Sequence, residues 1–555
     1  MESNHQTTKP NAPGRRRSGL TRSFSAWAAF LFGVHCISLS SSGFIPFSWV
    51  ASVWPGASIV GVLTIALVLC LVHALAYVII GSTVSATGAD YVFSSRVLNP
   101  ALSFAASWTL VLFSGVVAGG LVAWVPKSAL PALLRPFARI FGDYRYEVIA
   151  DYCSSTSGSL VIGGVIIAIV TLTVLRSNAF IQRMLAAGFV FGLLAWIVIY
   201  FSLLSTHSPA DFANSWNKFM GKTGAFGEFS QRISLAHSAG MTTTHSVTTM
   251  TLAGLIMGFW IFYGYYIPSF FSEEVKKPAR SLLISSWGSL IFSYIIFVVA
   301  AILLQRLVSL DWIAAEGYLF NNPDLVKKAA GGATVVPMPW ITFYAAILRP
   351  QPILISLVAF GWIFTLLNLV QTYFFYSSRI IYSWSLDRVV PDWLLGKKAA
   401  SPRPSRSILM MAVLAAIGLI DASTGGPLGT QLTFVFFAVV TQLVPVTALT
   451  FLPKLSPEVF ALVPPSFRTR VLGVPLSSLI GGLALCYLLW MIVASFLYPA
   501  VGVAKPLATV TLLIFLVGSG LLMFFFMRAW RRRHGIDLNA AYRSLSTSEE
   551  GPEFE

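Results

Sequence analysis

The chain has 555 residues, of which 56% are hydrophobic and only 10% are charged, and its mean hydropathy is +0.76. A soluble globular chain carries about a quarter charged residues, so these charges are too few to cover a water-soluble particle of this size. The formal net charge of +16 would suit nucleic acid, but the basic residues lie between apolar runs, where they indicate membrane topology. The composition therefore predicts a protein embedded in the lipid bilayer, and it excludes a nucleic-acid partner.

The sequence carries none of the common signatures of catalysis or metal binding. Its four cysteines form neither a CxxC pair nor a cluster with histidine, so no disulfide framework and no metal site are predicted. No Walker A sequence, HExxH, GxSxG or strand-associated GxGxxG occurs. The serines of segment 38–42 have no adjacent acid or base that would activate a nucleophile. We therefore expect no catalytic residue and no cofactor, and we interpret the protein as a non-enzyme.

Runs that lack Lys, Arg, Asp and Glu predict twelve membrane spans, since a span needs about 20 mostly apolar residues. If both termini are cytoplasmic, 25 of the 37 basic residues lie inside and 12 outside, as the positive-inside rule requires. The fold class is then an all-α polytopic protein of the cell membrane, and its three long outside loops are expected to carry short helices. The predicted spans are 24–50, 56–80, 101–125, 158–175, 184–205, 249–272, 282–304, 353–378, 407–425, 429–452, 474–498 and 506–527.

The first and sixth spans share an interruption, in segments 38–46 and 260–268. Each contains a glycine, Gly43 or Gly264, followed three or four residues later by a proline. Lipid tolerates such a break only where the freed backbone faces protein or a cavity. Paired breaks at corresponding positions indicate a transporter site, because half-helix N-termini attract a carboxylate and freed carbonyls accept from an ammonium group. The alternative for the first span is a packing face of small residues.

Four blocks of the sequence resemble the amino acid–polyamine–organocation (APC) superfamily permeases. They are 41–44, similar to G-S-G-[IV]; 86–100, similar to S-G-G-x-Y-x-Y-x-S-R-x-L-G-P; 259–280, similar to a sixth-span pattern that ends E-x-K-N-P-x-R, with Lys277 at the N position; and 385–391, similar to S-x-D-x-x-x-P. The resemblance implies a 5+5 inverted repeat with broken helices 1 and 6, two extra helices, and alternating access. The implied parts are a cytoplasmic tail 1–23, a first half 24–205, an extracellular loop 206–248, a second half 249–452, two further spans 474–530 and a cytoplasmic tail 531–555.

The same resemblance implies a substrate site at the two breaks. The backbone of Ser42 and Gly43, with the Ser42 hydroxyl, would hold a substrate carboxylate, and the carbonyls of Trp260 and Tyr263 would hold its amino group. Trp260 is also the predicted aromatic gate, and ordinary core packing is the alternative for it. Ser41 stands where the family usually has glycine. The predicted substrate-binding residues are Ser41, Ser42, Gly43, Trp260, Ile261, Tyr263 and Gly264.

A few ionisable residues remain to be interpreted. His35 and His73 lie inside spans, and His35, near the first break, is a candidate for coupling to H+. The alternative, which we favour, is a neutral histidine bonded to a backbone carbonyl. The fifth span lacks the lysine that several proton-coupled members carry. Glu273 and Glu274, next to the basic residues of segment 276–280, predict a cytoplasmic ion-pair cluster.

Together these features predict a secondary active transporter of amino acids that works by symport or exchange, with coupling to H+ or Na+ left open. The broken segments contain no acidic residue, so neutral amino acids are the expected substrates. One alternative is an APC-type transporter of amines or polyamines, and another is a membrane-embedded receptor or enzyme. The expected partners are a small-molecule amino acid and the lipid bilayer, and the oligomeric state is not predicted.

Overall fold

The computed structural model of the chain shows the predicted all-α membrane protein. It describes residues 15–16, 18–220, 227–242, 246–331, 336–395, 404–428, 434–499 and 501–543. Within these ranges nine helices are long and apolar enough, by length and composition, to cross a membrane. They coincide with nine of the twelve predicted spans. Their bounds are Ile59–Thr83, Pro100–Phe141, Thr156–Val174, Asn178–Leu204, Pro278–Gln305, Pro352–Leu386, Ser405–Thr424, Leu476–Leu497 and Pro506–Arg533.

The other three predicted spans are the first, the sixth and the tenth. The first and sixth are interrupted, and the described part of the tenth is a shorter helix. In the two five-span halves that the resemblance implies, these broken spans would be the first of each half. The predicted start of the tenth span, 429–433, lies outside the described residues. The segments are Ala26–Ile37, Ser41–Ile45, the π-helical turn Pro46–Val50 and Ala51–Val53 in the first span; Val247–Ala253, Leu255–Phe262 and the 3-10 turns Ile267–Phe270 and Ser272–Glu274 in the sixth; and Phe434–Thr450 in the tenth.

Polar caps explain where several spans begin. The third span starts at Pro100, whose fixed φ suits the first helical position, and Asn99 precedes it. The Asn99 Oδ1 accepts hydrogen bonds from the N–H groups of Ala101 at 2.9 Å and Leu102 at 3.1 Å. Such a cap satisfies donors that a helix leaves without partners at its N-terminus. The fifth span begins in the same way after Ser177.

The backbones of the third and ninth spans touch through two glycines. A Cβ on Gly119 would lie 2.0 Å from the carbonyl oxygen of Ala415, and a Cβ on Gly418 would lie 2.0 Å from the carbonyl oxygen of Val116. Small residues at helix interfaces in lipid permit this close approach and the van der Waals packing that comes with it. Gly120, the neighbour of Gly119, has no atom within 4 Å of its Cβ position.

This packing predicts a large difference between two adjacent substitutions. We expect Gly119→Ala to lower the stability of the protein by about 1–3 kcal/mol, since the added methyl group must push two backbones apart. Gly120→Ala is the matched control, and it should be neutral or slightly stabilising because alanine has the higher helix propensity. Thermal unfolding of both variants in the same detergent measures the difference, and equal melting temperatures would contradict the contact.

One side of the molecule carries the predicted helical loops, and we call it the loop face. A buried ion pair holds two of these loops together: Arg232 donates from Nη2 to Oε2 of Glu316 at 2.9 Å, and both side chains are fully buried. The expectation of short helices in all three long loops is thereby confirmed. After the π-helical turn Val125–Ala129 they are Leu130–Phe141, Arg145–Ser154, Pro209–Met220, the 3-10 turn Phe229–Gln231, Arg232–Ser238, Leu310–Asn321, Pro323–Ala329 and Ile341–Leu348.

The opposite side carries both ends of the described chain, and we call it the tail face. Arg16 and Arg531 both donate to Asp392, at 2.9 and 2.7 Å. The predicted tails 1–23 and 531–555 are described only at 15–16, 18–23 and 531–543, and these parts pack on the spans. Other elements between the spans are the helix Ala89–Val97, the 3-10 turn Asp392–Leu395, the short helices Leu452–Leu455, Pro457–Phe460 and Pro465–Arg468, and the paired strands Arg470–Val471 and Val474–Pro475. The helix Leu538–Arg543 follows the last span.

Candidate functional site

The first span is interrupted at Ser38–Ser40, at the beginning of the predicted segment. Ser38 has a positive φ of 63°, which L-residues adopt only under constraint. The helix restarts at Ser41, and two of its first N–H groups have partners in Ser38: Ser41 donates to Oγ and Ser42 donates to the carbonyl oxygen, each at 3.2 Å. In a continuous helix the Leu39 carbonyl would accept from Gly43, but here it accepts from the indole of Trp196 at 3.1 Å.

Gly43 lies inside the restarted helix Ser41–Ile45, and Pro46 begins the π-helical turn that follows it, so neither residue is the site of the interruption. The reason for glycine at position 43 is packing, because a Cβ there would lie 2.5 Å from the ring of Trp196 and 2.8 Å from the ring of Phe297. The fifth and seventh spans therefore approach the restarted helix closely at this point. The interruption of the first span was predicted, whereas its position at Ser38 was not.

The sixth span breaks where the sequence predicts it, at Gly264. The helix Leu255–Phe262 ends two residues earlier, and Gly264 takes a φ of 107°, a conformation that suits glycine. A Cβ at this position would lie 2.7 Å from both the Cβ and the carbonyl oxygen of Cys36. The two breaks therefore touch, since Cys36 is next to the end of the half-helix Ala26–Ile37.

This contact places opposite helix ends side by side in the interior. The helix that starts at Ser41 presents its positive N-terminal end, and Leu255–Phe262, which contacts it, presents its negative C-terminal end. Ser41, Ser42 and Tyr263 are buried, and Trp260 is half-buried. The Trp260 carbonyl accepts from the Tyr263 N–H at 3.2 Å. The arrangement suits a small molecule with a negative and a positive group.

A polar network supports the sixth-span break from behind. His73 Nδ1 and the Tyr265 hydroxyl lie 2.7 Å apart, and Gln442 donates from Nε2 to the Tyr266 hydroxyl at 2.7 Å. The ring of Tyr77 packs 4.6 Å from that of Tyr266. The sequence marked His73 as an ionisable residue inside a span. In the structure it bonds to Tyr265 and so supports the unwound segment of the sixth span. The sequence contains no pattern that would have paired Gln442 with Tyr266, which are 176 positions apart.

His35 is bonded to a backbone carbonyl, as we favoured. Its Nε2 lies 2.7 Å from the Leu185 carbonyl oxygen, which can only accept, so Nε2 carries a proton. Asn368 in the eighth span donates at 3.0 Å to the carbonyl of Met184, the residue before Leu185. A Cβ on Gly188 would meet both Asn368 and His35, so this glycine lets the first, fifth and eighth spans meet.

Buried ion pairs close the tail face. Asp387 accepts from Arg15 at 3.0 Å and from both Nη atoms of Arg96 at 2.8 Å, and all three side chains are at most 2% exposed. Burial opposes ionisation of Asp387, but the charges of Arg96 and Arg15 outweigh it and hold the pKa of this carboxyl below its usual range. The three residues, which we call the Asp387 triad, tie the N-terminal tail to the helix Ala89–Val97 and the end of the eighth span.

The adjacent glutamates Glu273 and Glu274 also form contacts on the tail face, but with partners that the sequence did not predict. Glu274 accepts from Arg379 at 2.8 and 3.2 Å and from Asn178 at 2.7 Å. Glu273 accepts from the Ser18 hydroxyl and from the Thr87 N–H. An ion-pair cluster was predicted here from the neighbouring lysines and arginine, whereas these contacts join Glu274 to a residue 105 positions away.

Two broken spans that touch at their breaks, beneath a layer of ion pairs, define a membrane permease of the broken-helix class. A family model described as amino acid permease matches residues 24–519. The match covers most of the chain, so the chain belongs to the amino acid permease family and is an APC-type transporter. No curated protein sequence matches the chain significantly. The predicted APC resemblance is confirmed, and the roles of the individual site residues stay predictions.

Proposed function

We propose that this permease moves neutral α-amino acids across the membrane by alternating access. The observation that carries the proposal is the contact between Gly264 and Cys36, which brings the two breaks together in the interior. An α-amino acid carries a carboxylate and an ammonium group on one carbon. The positive end of one half-helix and the negative end of the other suit these two charges.

The local geometry supports a role for each of these residues in the proposed site. The Gly43 N–H and the hydroxyls of Ser41 and Ser42 hold the substrate carboxylate, because the N–H groups of both serines already donate to Ser38. The carbonyls at the end of Leu255–Phe262, those of Trp260 and Ile261, accept from the ammonium group together with that of Tyr263. Gly264 sets the distance between the two half-sites, and Trp260 covers the substrate as the gate.

The charge of the site favours neutral side chains. Segments 38–46 and 260–268 contain no acidic residue, so a cationic side chain would enter the interior without a counter-charge. Uptake that is highest for arginine or putrescine would contradict this and support an amine or polyamine transporter.

The orientation of the protein follows from its basic residues. We place the tail face in the cytoplasm, because 25 of the 37 basic residues then lie on that side. The Asp387 triad then closes the path to the cytoplasm, and it must open for substrate to leave. The coupling mode, symport or exchange, and the coupling ion, H+ or Na+, are part of the same proposal, with His35 as the candidate coupling residue.

Uptake of a labelled amino acid panel into proteoliposomes tests the function. We expect accumulation of neutral amino acids that Trp260→Ala lowers by about tenfold or more, since a large aromatic at a binding site contributes about 2 kcal/mol. Trp27→Ala is the matched control, because Trp27 is 58% exposed on the surface of the first span, and it should transport normally. Comparison with and without a proton or sodium gradient identifies the coupling ion. Binding of amino acids without flux would contradict transport and indicate a receptor.

A further inference from the structure

A small polar cavity lies apart from the two breaks, between the helix Ala89–Val97, the third span and the tenth span. Its volume of about 10 Å³ is the space of one small ion or one water molecule. Polar groups surround it on three elements. The lining residues that matter here are Asp90, Ser94, Ser103, Ser107, Thr441 and Pro445.

Three of the hydroxyl groups around the cavity donate their protons in hydrogen bonds to backbone carbonyls. Ser94 donates to the Asp90 carbonyl at 2.7 Å, Ser107 to the Phe104 carbonyl at 3.0 Å, and Thr441 to the Ala438 carbonyl at 2.8 Å. A hydroxyl has one proton and two lone pairs, so these groups can only accept further bonds. The cavity therefore offers a surplus of acceptors.

Two polar atoms at the cavity have no hydrogen-bond partner among the described residues. They are Oδ1 of Asp90 and Oγ of Ser103, and their side chains are 6% and 1% exposed. A buried carboxylate oxygen without a partner is costly. Burial accordingly raises the pKa of the Asp90 carboxyl to about 7. Asp90 is the second residue of its helix, where the helix dipole favours the ionised carboxylate.

Pro445 adds one more oxygen to this set. Proline has no N–H, so it cannot donate the helical bond to the carbonyl of Thr441, four residues earlier. An anion would face a carboxylate and several acceptors, with the Ser103 hydroxyl as the donor at the cavity that has no partner among the described residues. A single water has only two protons to donate. A divalent ion usually takes several carboxylates, whereas Asp90 is the one acidic group lining this cavity. The donor set is therefore that of one small monovalent cation.

We propose that this cavity is a binding site for a monovalent metal cation of the Na+ type, held by the Asp90 carboxylate, the Ser103 hydroxyl and the oxygens of Thr441. The site joins the helix Ala89–Val97 to the third and tenth spans. Arg96 of the Asp387 triad lies on that helix. A bound cation thus stabilises the closed tail face, whether or not the protein carries amino acids.

Binding of radiolabelled Na+ to the purified full-length protein tests the site directly. We expect saturable binding with one ion per chain, displaced by unlabelled NaCl and unaffected by choline chloride at the same ionic strength. Asp90→Asn should weaken the binding by about tenfold or more, because it removes the only charge facing the ion. Ser103→Ala should weaken it less. Asp324→Asn is the matched control: Asp324 is exposed on the loop face, and its loss should change nothing.

Each outcome of this experiment decides the question. No saturable Na+ binding by the wild-type protein overturns the site and leaves a water or a proton in the cavity, and so does undiminished binding by Asp90→Asn. If Asp90→Asn does not fold, two results still test the site: the number of Na+ ions bound per wild-type chain, and the weaker Na+ binding expected of Ser103→Ala. The assay contains no amino acid, so its result is independent of the proposed transport activity. A higher melting temperature in NaCl than in choline chloride, lost in Ser103→Ala, is the expected second readout.

Discussion

Replacing Asp387 by asparagine is expected to open the tail face. The substitution keeps the shape of the side chain but removes the carboxylate that pairs with both Arg15 and Arg96, whose side chains are each 2% exposed. The buried Arg96 guanidinium would then lose its carboxylate partner, and Arg15 would keep Glu273 as its nearby negative charge. Breaking a buried ion pair by removing one partner costs about 3–5 kcal/mol.

This cost falls mainly on the closed conformation. When the tail face opens, water reaches both arginines, and their charges no longer need Asp387. About 3 kcal/mol corresponds to a change of more than a hundredfold in the ratio of open to closed protein. Asp387→Asn should therefore populate a conformation in which the interior is reached from the tail face.

A native cysteine reports this opening. Cys36 is 3% exposed and packs on Gly264, at the centre of the candidate site. With the other three cysteines, Cys70, Cys153 and Cys486, changed to alanine, alkylation by a small thiol reagent measures access to Cys36 alone. We expect Asp387→Asn to raise its alkylation rate by about tenfold or more, as follows from the population shift.

Asp392→Asn is the matched control on the same face. Asp392 also pairs with two arginines, Arg16 and Arg531, but its side chain is 49% exposed. The Asp392 carboxylate is in contact with water, so its pairs contribute about 0–1 kcal/mol. The buried Arg531 keeps the carbonyl oxygens of Arg388 and Val390 as acceptors, so the loss of Asp392 should hardly change the alkylation of Cys36. Equal rates in the two variants would show that burial of the Asp387 triad has no role in closure.

The triad should not respond to pH in the physiological range. The two arginines hold the pKa of Asp387 below its usual 3.8 despite its burial. A carboxyl with a lowered pKa stabilises the folded, closed form at every pH above its unfolded value, and it loses this effect only as the pH falls through the lower value. Alkylation of Cys36 in the wild-type protein should consequently be unaffected by protonation of Asp387 between pH 6 and pH 8.

The spans could be predicted from the sequence because lipid imposes a strong constraint on it. A segment such as 59–83 must be long, apolar and helical, since no water satisfies its backbone within the bilayer. The break at Gly264 was predictable for a related reason, because glycine adopts a φ of 107° readily. The break at Ser38 could not be located in this way, because serine has no preference for a positive φ that would mark the position in the sequence.

The contacts that complete the site could not be predicted, because they join distant parts of the chain. Arg15 and Asp387 are 372 positions apart, and no local pattern pairs them. The neighbouring lysines and arginine suggested the wrong partner for Glu274 because sequence proximity is visible and spatial proximity is not. Gly43 appeared in the sequence as a helix breaker, yet Trp196 and Phe297 require it for packing.

Gly264→Ala is expected to abolish transport, and it tests the contact on which the proposed function rests. An alanine at a positive φ is strained by about 1–3 kcal/mol. Its Cβ would also lie 2.7 Å from the carbonyl oxygen of Cys36, a backbone atom that cannot turn aside. Relief requires the two breaks to separate, and overpacking of this kind costs about 1–3 kcal/mol more.

The separation has a specific consequence for the substrate. The carboxylate and the ammonium group of an amino acid lie on one carbon, so they cannot follow two half-sites that move apart. Small displacements of binding groups lower rates by about a hundredfold. Uptake into proteoliposomes should therefore fall by at least about tenfold, while the melting temperature in detergent shows that the protein is folded.

Gly33→Ala is the matched control for Gly264→Ala. It adds a methyl group against the half-helix Ala26–Ile37, which contains Cys36, without separating the two breaks. Gly33 lies in Ala26–Ile37, and a Cβ there would meet the Oγ of Ser289 at 2.9 Å, a side-chain atom that can rotate away. The Cβ of Ser289 at 3.1 Å needs only a small shift, whereas Gly264 faces the backbone of Cys36. This variant should therefore keep most of its uptake. Wild-type uptake by Gly264→Ala would mean that the two breaks need not touch for transport, and the substrate site would then have to lie elsewhere. Lost uptake in Gly264→Ala alone would place the substrate between the breaks, because only that variant changes the distance between them.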